Sequence, residues 1–227
     1  MKTRKNLLPA LAVSLLLAAG FAFATGSRTV LKVAYPTPAF HGTPKPLRLP
    51  NLEPKPASAP QVLVPAGCQL LSRGRPVTSS DPQPIIGELA YVTDGDKSGI
   101  DGTVVELGPG RQWVQIDLGA PARIDAIALW HYHSEPRAYH DVVVQVSPDP
   151  AFARDVVTVF NNDQDNSLRL GAGRDRTYVE SHFGRLIDAR GVTGRYLRLH
   201  SQGNTSDEMN HYAEVEVFGA PPATTNR

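Results

Sequence analysis

The sequence predicts an all-β, antiparallel domain over residues 68–219. Short apolar runs there alternate with period two, and Gly, Pro and Asn-Asp pairs punctuate them. No window in that span sustains a helical period for three turns. Strands of this length and spacing build a sandwich or a barrel.

Each strand is visible as such a run. Trp113-Val-Gln-Ile-Asp-Leu118 places Val114, Ile116 and Leu118 on one face and stops at Gly119-Ala-Pro121. Ile124 to Tyr132, Asp141 to Ser147, Val156 to Phe160, Arg195 to His200 and Ala213 to Phe218 repeat the pattern. Trp113 and Trp130 lie inside strand patterns and read as core, where an indole supplies a large apolar contact area.

Two segments precede the domain. Lys2, Arg4 and Lys5 stand before a charge-free run from Leu7 to Ala24 that ends Ala22-Phe23-Ala24, so residues 1–24 read as a secretory signal peptide. Left uncleaved, the same run is a membrane anchor, since 18 residues of helix nearly cross a hydrocarbon core of ~30 Å. Residues 25–67 hold nine of the 20 prolines and read as a Pro-rich, extended linker without regular structure. The competing reading lays this segment along the domain, docked by Leu47, Leu49 and Leu52. Residues 220–227 read as a disordered tail.

Composition excludes several classes. The formal charge of +1 averages a basic leader with a remainder holding 20 bases against 22 acids, so no concentrated basic face is available for nucleic acid. Cys68 is the only cysteine of the 227 residues, which excludes an internal disulfide. Stability must come from the core or from a bound ion.

Thr93-Asp94-Gly95-Asp96, then Trp113-Val-Gln-Ile-Asp-Leu-Gly119, then Ile124-x-x-Ile127, then Arg195-Tyr-Leu-Arg-Leu199, and finally Glu214-Val-Glu-Val-Phe-Gly219 follow one another in this order. The succession resembles discoidin domains, the coagulation factor V/VIII C-type modules of the galactose-binding-like superfamily. The resemblance covers the whole globular part and implies a jelly-roll β-sandwich whose loops at one end bind glycans, lipid headgroups or proteins. The missing disulfide places the chain nearer the bacterial type. The resemblance also implies a structural calcium at Asp94 and Glu214. Asp96, Ser98 and Asp101 offer further oxygens in the same Gly-rich turn, as a hard cation requires. The alternative is a solvated loop whose carboxylates cap amides.

Ligand contacts are expected on three loops. His133, Arg137, Tyr139 and His140 follow one strand, Asn161, Asp163 and Asp165 follow another, and Asn204 and His211 precede the last. Amides and carboxylates that bracket hydroxyls, with an aromatic face beside them, form the inventory of a sugar site. For residues 161–167 an Asx-rich turn that binds nothing is the alternative. His131-Tyr-His133 with His140 offers too few placed ligands to define a zinc site, and Arg outnumbers Lys 13 to one in the domain, which suits sulfate or uronate groups.

The sequence contains no nucleophile elbow, His-Glu-x-x-His, P-loop or dinucleotide motif. The expected function is an exported, non-catalytic, calcium-bearing module for carbohydrate or a cell-surface glycoconjugate. The alternatives are adhesion to an envelope protein and a small polysaccharide lyase or hydrolase using His133, Tyr139 or His140.

Overall fold

The computed structural model describes residues 27–38 and 46–221; the expected signal peptide, residues 1–24, and most of the expected C-terminal tail lie outside the described residues. Eleven strands follow in order: β1 Arg28–Val30, β2 Leu63–Pro65, β3 Gln69–Leu70, β4 Val77–Ser79, β5 Val105–Leu107, β6 Arg111–Trp130, β7 Val143–Ser147, β8 Val157–Asn161, β9 Arg185–Gln202, β10 Asn210–Tyr212 and β11 Glu214–Ala220. Among the described residues the only helical element is a 3-10 turn, Leu89–Thr93.

The main sheet runs β3-β11-β6-β9-β7-β8, with β4 added to β6, and every ladder between named strands is antiparallel. It folds into a sandwich because its two longest strands bend. The first half of β6 pairs with β4 and the second half of β9, whereas its second half pairs with β11 and the first half of β9. The register jumps between Asp117 and Ala122, where Gly119 takes φ +84°, a left-handed value that glycine reaches without steric cost. Gly119-Ala-Pro121, expected to end a strand, is therefore a corner within one. Both halves place their apolar positions in one core, with Val114, Ile116 and Leu118 against Ile127, Leu129, Val144, Leu197, Leu199, Val215 and Val217. Short β5 pairs with β10 across the end of the sandwich.

The described parts of the segment expected to be an unstructured linker, residues 27–38 and 46–67, lie on the domain instead, along the line of the competing reading. Strand β1 pairs with β2, and Leu31 N–H donates to Val62 O at 2.9 Å. Leu31, Val33 and Tyr35 point inward alternately and pack with Val62 and Val64 on Ala126, Ala128, Trp130 and Phe218, a second apolar cluster. This alternation ends at the first proline of the segment, Pro36. Further on, Leu52 bridges Thr177, and Arg185 holds Glu53. Leu47, Leu49 and Leu52 are all half-buried.

The two tryptophans differ. Trp130 is fully buried, with its Nε1–H donating to His182 O at 3.0 Å. Trp113 is half-buried on the outer face of the sheet beneath the Arg198 guanidinium, 4.5 Å from the ring centre, and is not core. Its position in the alternation explains this, because Val114 and Ile116 take the inward face. Burial pushes the Cys68 thiol up to about 11, so it stays protonated at neutral pH.

Candidate functional site

The end of the sandwich reached by β10, the β6–β7 connection and the β9–β10 turn gathers most of the expected ligand residues. The backbones interlock first. His140 N–H donates to Gly203 O at 3.0 Å, Gln202 N–H returns a bond to His140 O at 2.9 Å, and Tyr139 bridges Asn204. Between these strands lies a cleft of about 430 Å³ lined by Gly110, His140, Gln202, Gly203, Asn204, Asp207 and Glu208. A larger groove of about 950 Å³ follows the open seam between the free edge of β8 and residues 188–192, away from the interlocked loops.

The side chains around the cleft are held by one another. Asn204 is buried; its Nδ2 donates to Asp207 Oδ1 at 2.6 Å and Met209 O at 2.9 Å, while its Oδ1 accepts the Ser206 amide. Asp207 Oδ2 accepts from Arg137 Nη1 at 3.3 Å, and Arg137 Nη2 reaches Glu135 at 2.9 Å. The Arg137 guanidinium lies 4.4 Å from the centre of the Tyr132 ring, an attraction between a cation and the ring quadrupole, and its Nε is buried without a partner.

Tyr139 and His211 lie deeper. Both are buried, joined at 3.0 Å between the phenol oxygen and Nδ1, and His211 Nε2 meets Glu106 at 3.2 Å. Burial holds the Tyr139 phenol well above its ordinary range and pushes the His211 imidazole down. Tyr139 stacks on His131 at 4.2 Å, and His131 Nδ1 lies 2.6 Å from Glu180 in a fully buried pair. His131 and Glu180 carry no sequence motif; the pairing spans 49 residues.

Other expected residues serve the loops themselves. His133 is buried and its Nε2 lies 2.9 Å from Lys97 O, while Gly99, at φ +59°, packs so tightly on that imidazole that a Cβ would fall 2.5 Å from it. Asn161 binds Gly171 O and the Asp163 amide, and Asp163 accepts the Ser167 and Leu168 amides. This is the Asx-rich turn weighed as the alternative, and it orders the loop by satisfying backbone groups. Asp165 is exposed and also accepts Ser167 N–H.

Asp141, unanticipated, joins Asp163 and Asp165 in the only set of three His, Cys, Asp or Glu ligand atoms lying within 4.8 Å of one another among the described residues. Burial raises the Asp141 carboxyl, and the like charges of Asp163 and Asp165 add to the effect. Asp207, Glu208 and Gln202 were also missed; Asn204-Thr-Ser-Asp207 carries a legible signal, two Asx residues at turn spacing.

The acidic loop meets the last strand through one contact. Glu214 is buried, its Oε2 accepts the Gly95 amide at 2.7 Å, and its Oε1 has no partner. Burial raises this carboxyl to about 8. Asp94 Oδ1 accepts Asp96 N–H, Asp96 Oδ1 accepts Ser98 N–H, and Ser98 Oγ lies 3.1 Å from Thr103 Oγ1. Asp101 is turned to Tyr132, whose hydroxyl donates to it at 3.0 Å. An orphaned, buried carboxylate oxygen beside an acidic turn fits a hard cation at Glu214 and Asp94; Asp101 is engaged elsewhere.

Residues 91–181, which include the acidic loop and the candidate loops up to Glu180, match the family model described as a NedA-like, galactose-binding domain of the F5/F8 type C group. Over these residues the chain is similar to F5/F8 type C domains. One solved structure, at a TM-score of 0.50, supports this fold, and two others are similar at lower scores. The family 89 glycoside hydrolase from Clostridium perfringens in complex with PUGNAc is 18% identical over 67% of this chain and 15% of its own, with a TM-score of 0.50. The CBM32 of AlyQ in complex with 4,5-unsaturated mannuronic acid is 22% identical over 64% of this chain and 95% of its own, with a TM-score of 0.47. Chitosan-binding module 1 of a chitosanase/glucanase from Paenibacillus sp. IK-5 is 20% identical over 66% and 99%, with a TM-score of 0.47. No curated protein matches the chain. No helix among the described residues is long and apolar enough to cross a membrane.

Proposed function

We propose that this domain is an exported, non-catalytic module that binds carbohydrate in the cleft between the β6–β7 connection and the β9–β10 turn. The observation that carries the reading is convergence: the His140 imidazole from the β6–β7 connection meets two amides and two carboxylates from residues 202–208 around one cleft of about 430 Å³. That volume falls among small-ligand pockets of ~300–1,000 Å³, and those groups are the partners that hydroxyls require. The family description supports it. Of the three residues named for the enzyme alternative, Tyr139 and His133 are buried and engaged with His211 and Lys97 O, which favours binding over turnover, while His140 is exposed at the cleft. The basic leader and apolar run that end at Ala24 support export.

Calcium belongs to the same proposal. Glu214 and Asp94 would hold it, and the ion would supply charge compensation for a buried carboxylate while fixing the acidic loop beneath Tyr132. Isothermal titration of the protein against a panel of neutral, amino and acidic oligosaccharides, with calcium or with chelator, tests the function. Saturable binding weakened by Gln202→Ala, whose amide faces the cleft, is the expected result; no heat with any sugar in either condition overturns it.

A further inference from the structure

A strand edge left open is a template for another strand, and folds usually blunt such edges with short strands, charge or proline. The main sheet ends at β3 on one side and at β8 on the other. Strand β3 has two residues and β4, added beside β6, has three, which blunts both. Strand β8 has five, and its only ladder is to β7. On its outer side Asn161 is tied down by Asp175, whose amide donates to Asn161 O at 2.9 Å and whose Oδ2 accepts Asn161 N–H at 2.7 Å. Among the described residues, no hydrogen bond from outside β7 reaches the backbone of residues 156–159.

The side chains of this edge do nothing to repel a second chain. From Val156 to Asn161 there is no charged residue and no proline, and Val156 and Val157 are 36% and 44% exposed. The groove of about 950 Å³ beside the edge is lined by buried Phe160 and Ala189 and by half-buried Val159 and Val192, so its apolar lining is continuous with the core. Its charged lining is Arg174, Asp175, Asp188 and Arg190, two of each sign. A partner of strong charge, basic or acidic, finds no excess of the opposite sign there. A second copy does not need one: across a twofold axis a patch meets itself, which a neutral patch tolerates and a charged one opposes.

We propose that β8 is a homotypic contact, through which two copies of this chain pair their β8 edges antiparallel about a twofold axis and continue one sheet across the pair. The inference does not rest on the carbohydrate reading. The groove is lined by sixteen residues, fewer than the ~20–30 a side of a standard interface, so the pair is weak, with a Kd on the order of 10–100 µM.

Sedimentation velocity of the full chain from about 1 µM to 1 mM, wild type beside Val157→Lys, tests the contact, and association through any other surface is common to both proteins. The wild type should pass from one chain to two over this range. In Val157→Lys two ammonium groups are brought to the same interface, and the Kd should rise at least ~10-fold. Its melting temperature in dilute solution should stay unchanged, because the side chain is exposed. Hydrogen exchange of the wild type gives a second reading: amides of residues 157–159 should slow as concentration rises, and those of β3 should not. A single-chain mass up to 1 mM, association that Val157→Lys leaves intact, or exchange at 157–159 that ignores concentration overturns the proposal.

Discussion

Arg185 Nη1 donates to both carboxylate oxygens of Glu53, at 2.8 and 2.7 Å, across 132 residues of sequence. The pair ties the N-terminal segment to β9 while the Arg185 guanidinium lies 4.8 Å from the Phe160 ring centre and 5.0 Å from that of Tyr178. Both side chains are about a fifth exposed, 22% and 23%, so solvent screens part of the attraction. Glu53→Ala is expected to cost about 1 kcal/mol, measured by urea unfolding.

Removing residues 1–67 should do far more. The deletion strips Val64, Leu31, Val33, Val62 and Tyr35 from the cluster over Trp130. The expected loss is on the order of 5 kcal/mol, from one fully and four partly buried apolar side chains. Trp130 emission should shift to the red and become open to acrylamide quenching. A shortened protein with unaltered stability and emission would show that the segment is dispensable.

The buried His200 makes a pH prediction. Burial and the nearby Arg111 and Arg198 guanidiniums lower it to about 3, against an ordinary 6.5, and neither ring nitrogen has a partner. Between those values the unfolded chain binds the proton that the folded one refuses. The His200 contribution is therefore favourable above pH 6.5 and is lost as the pH falls toward 3. His200→Leu should flatten the acid limb of the stability profile by up to a few kcal/mol. Parallel profiles for the two proteins would show that His200 does not stay neutral in the fold.

Calcium should raise the melting temperature of the wild type, and chelator should reverse the gain. In Glu214→Gln the shape is kept and the charge removed, so the response should vanish. An unchanged wild-type midpoint in calorimetry removes the ion from the account.

The strand pattern was legible because alternation reports which face is buried: Val114, Ile116 and Leu118 read as inward and are. The corner at Gly119 was not, since a glycine that ends a strand and one that bends it leave the same trace in a sequence. Alternation also failed at Trp113, where an aromatic side chain drew attention to the outward parity. At the loop end the sequence named residues that the structure brings together, but not which of their atoms are exposed. Asn161, Asp163 and Asn204 have the right chemistry for a ligand, yet their own backbones claim it first. Which polar group is left facing solvent depends on partners across a turn, such as Asp207 to Arg137 over 70 residues, and no local period encodes that.

The docked N-terminal segment changes how the module would be presented. A free linker of Pro-rich chain would let the domain swing through a wide volume and search for ligand in any orientation. Held by β1 and β2 from Arg28, the domain instead receives whatever precedes it at one fixed point of its surface. Several copies borne on one surface would then face the same way, and their joint grip on a polymer would be set by spacing between copies, with little averaging over direction.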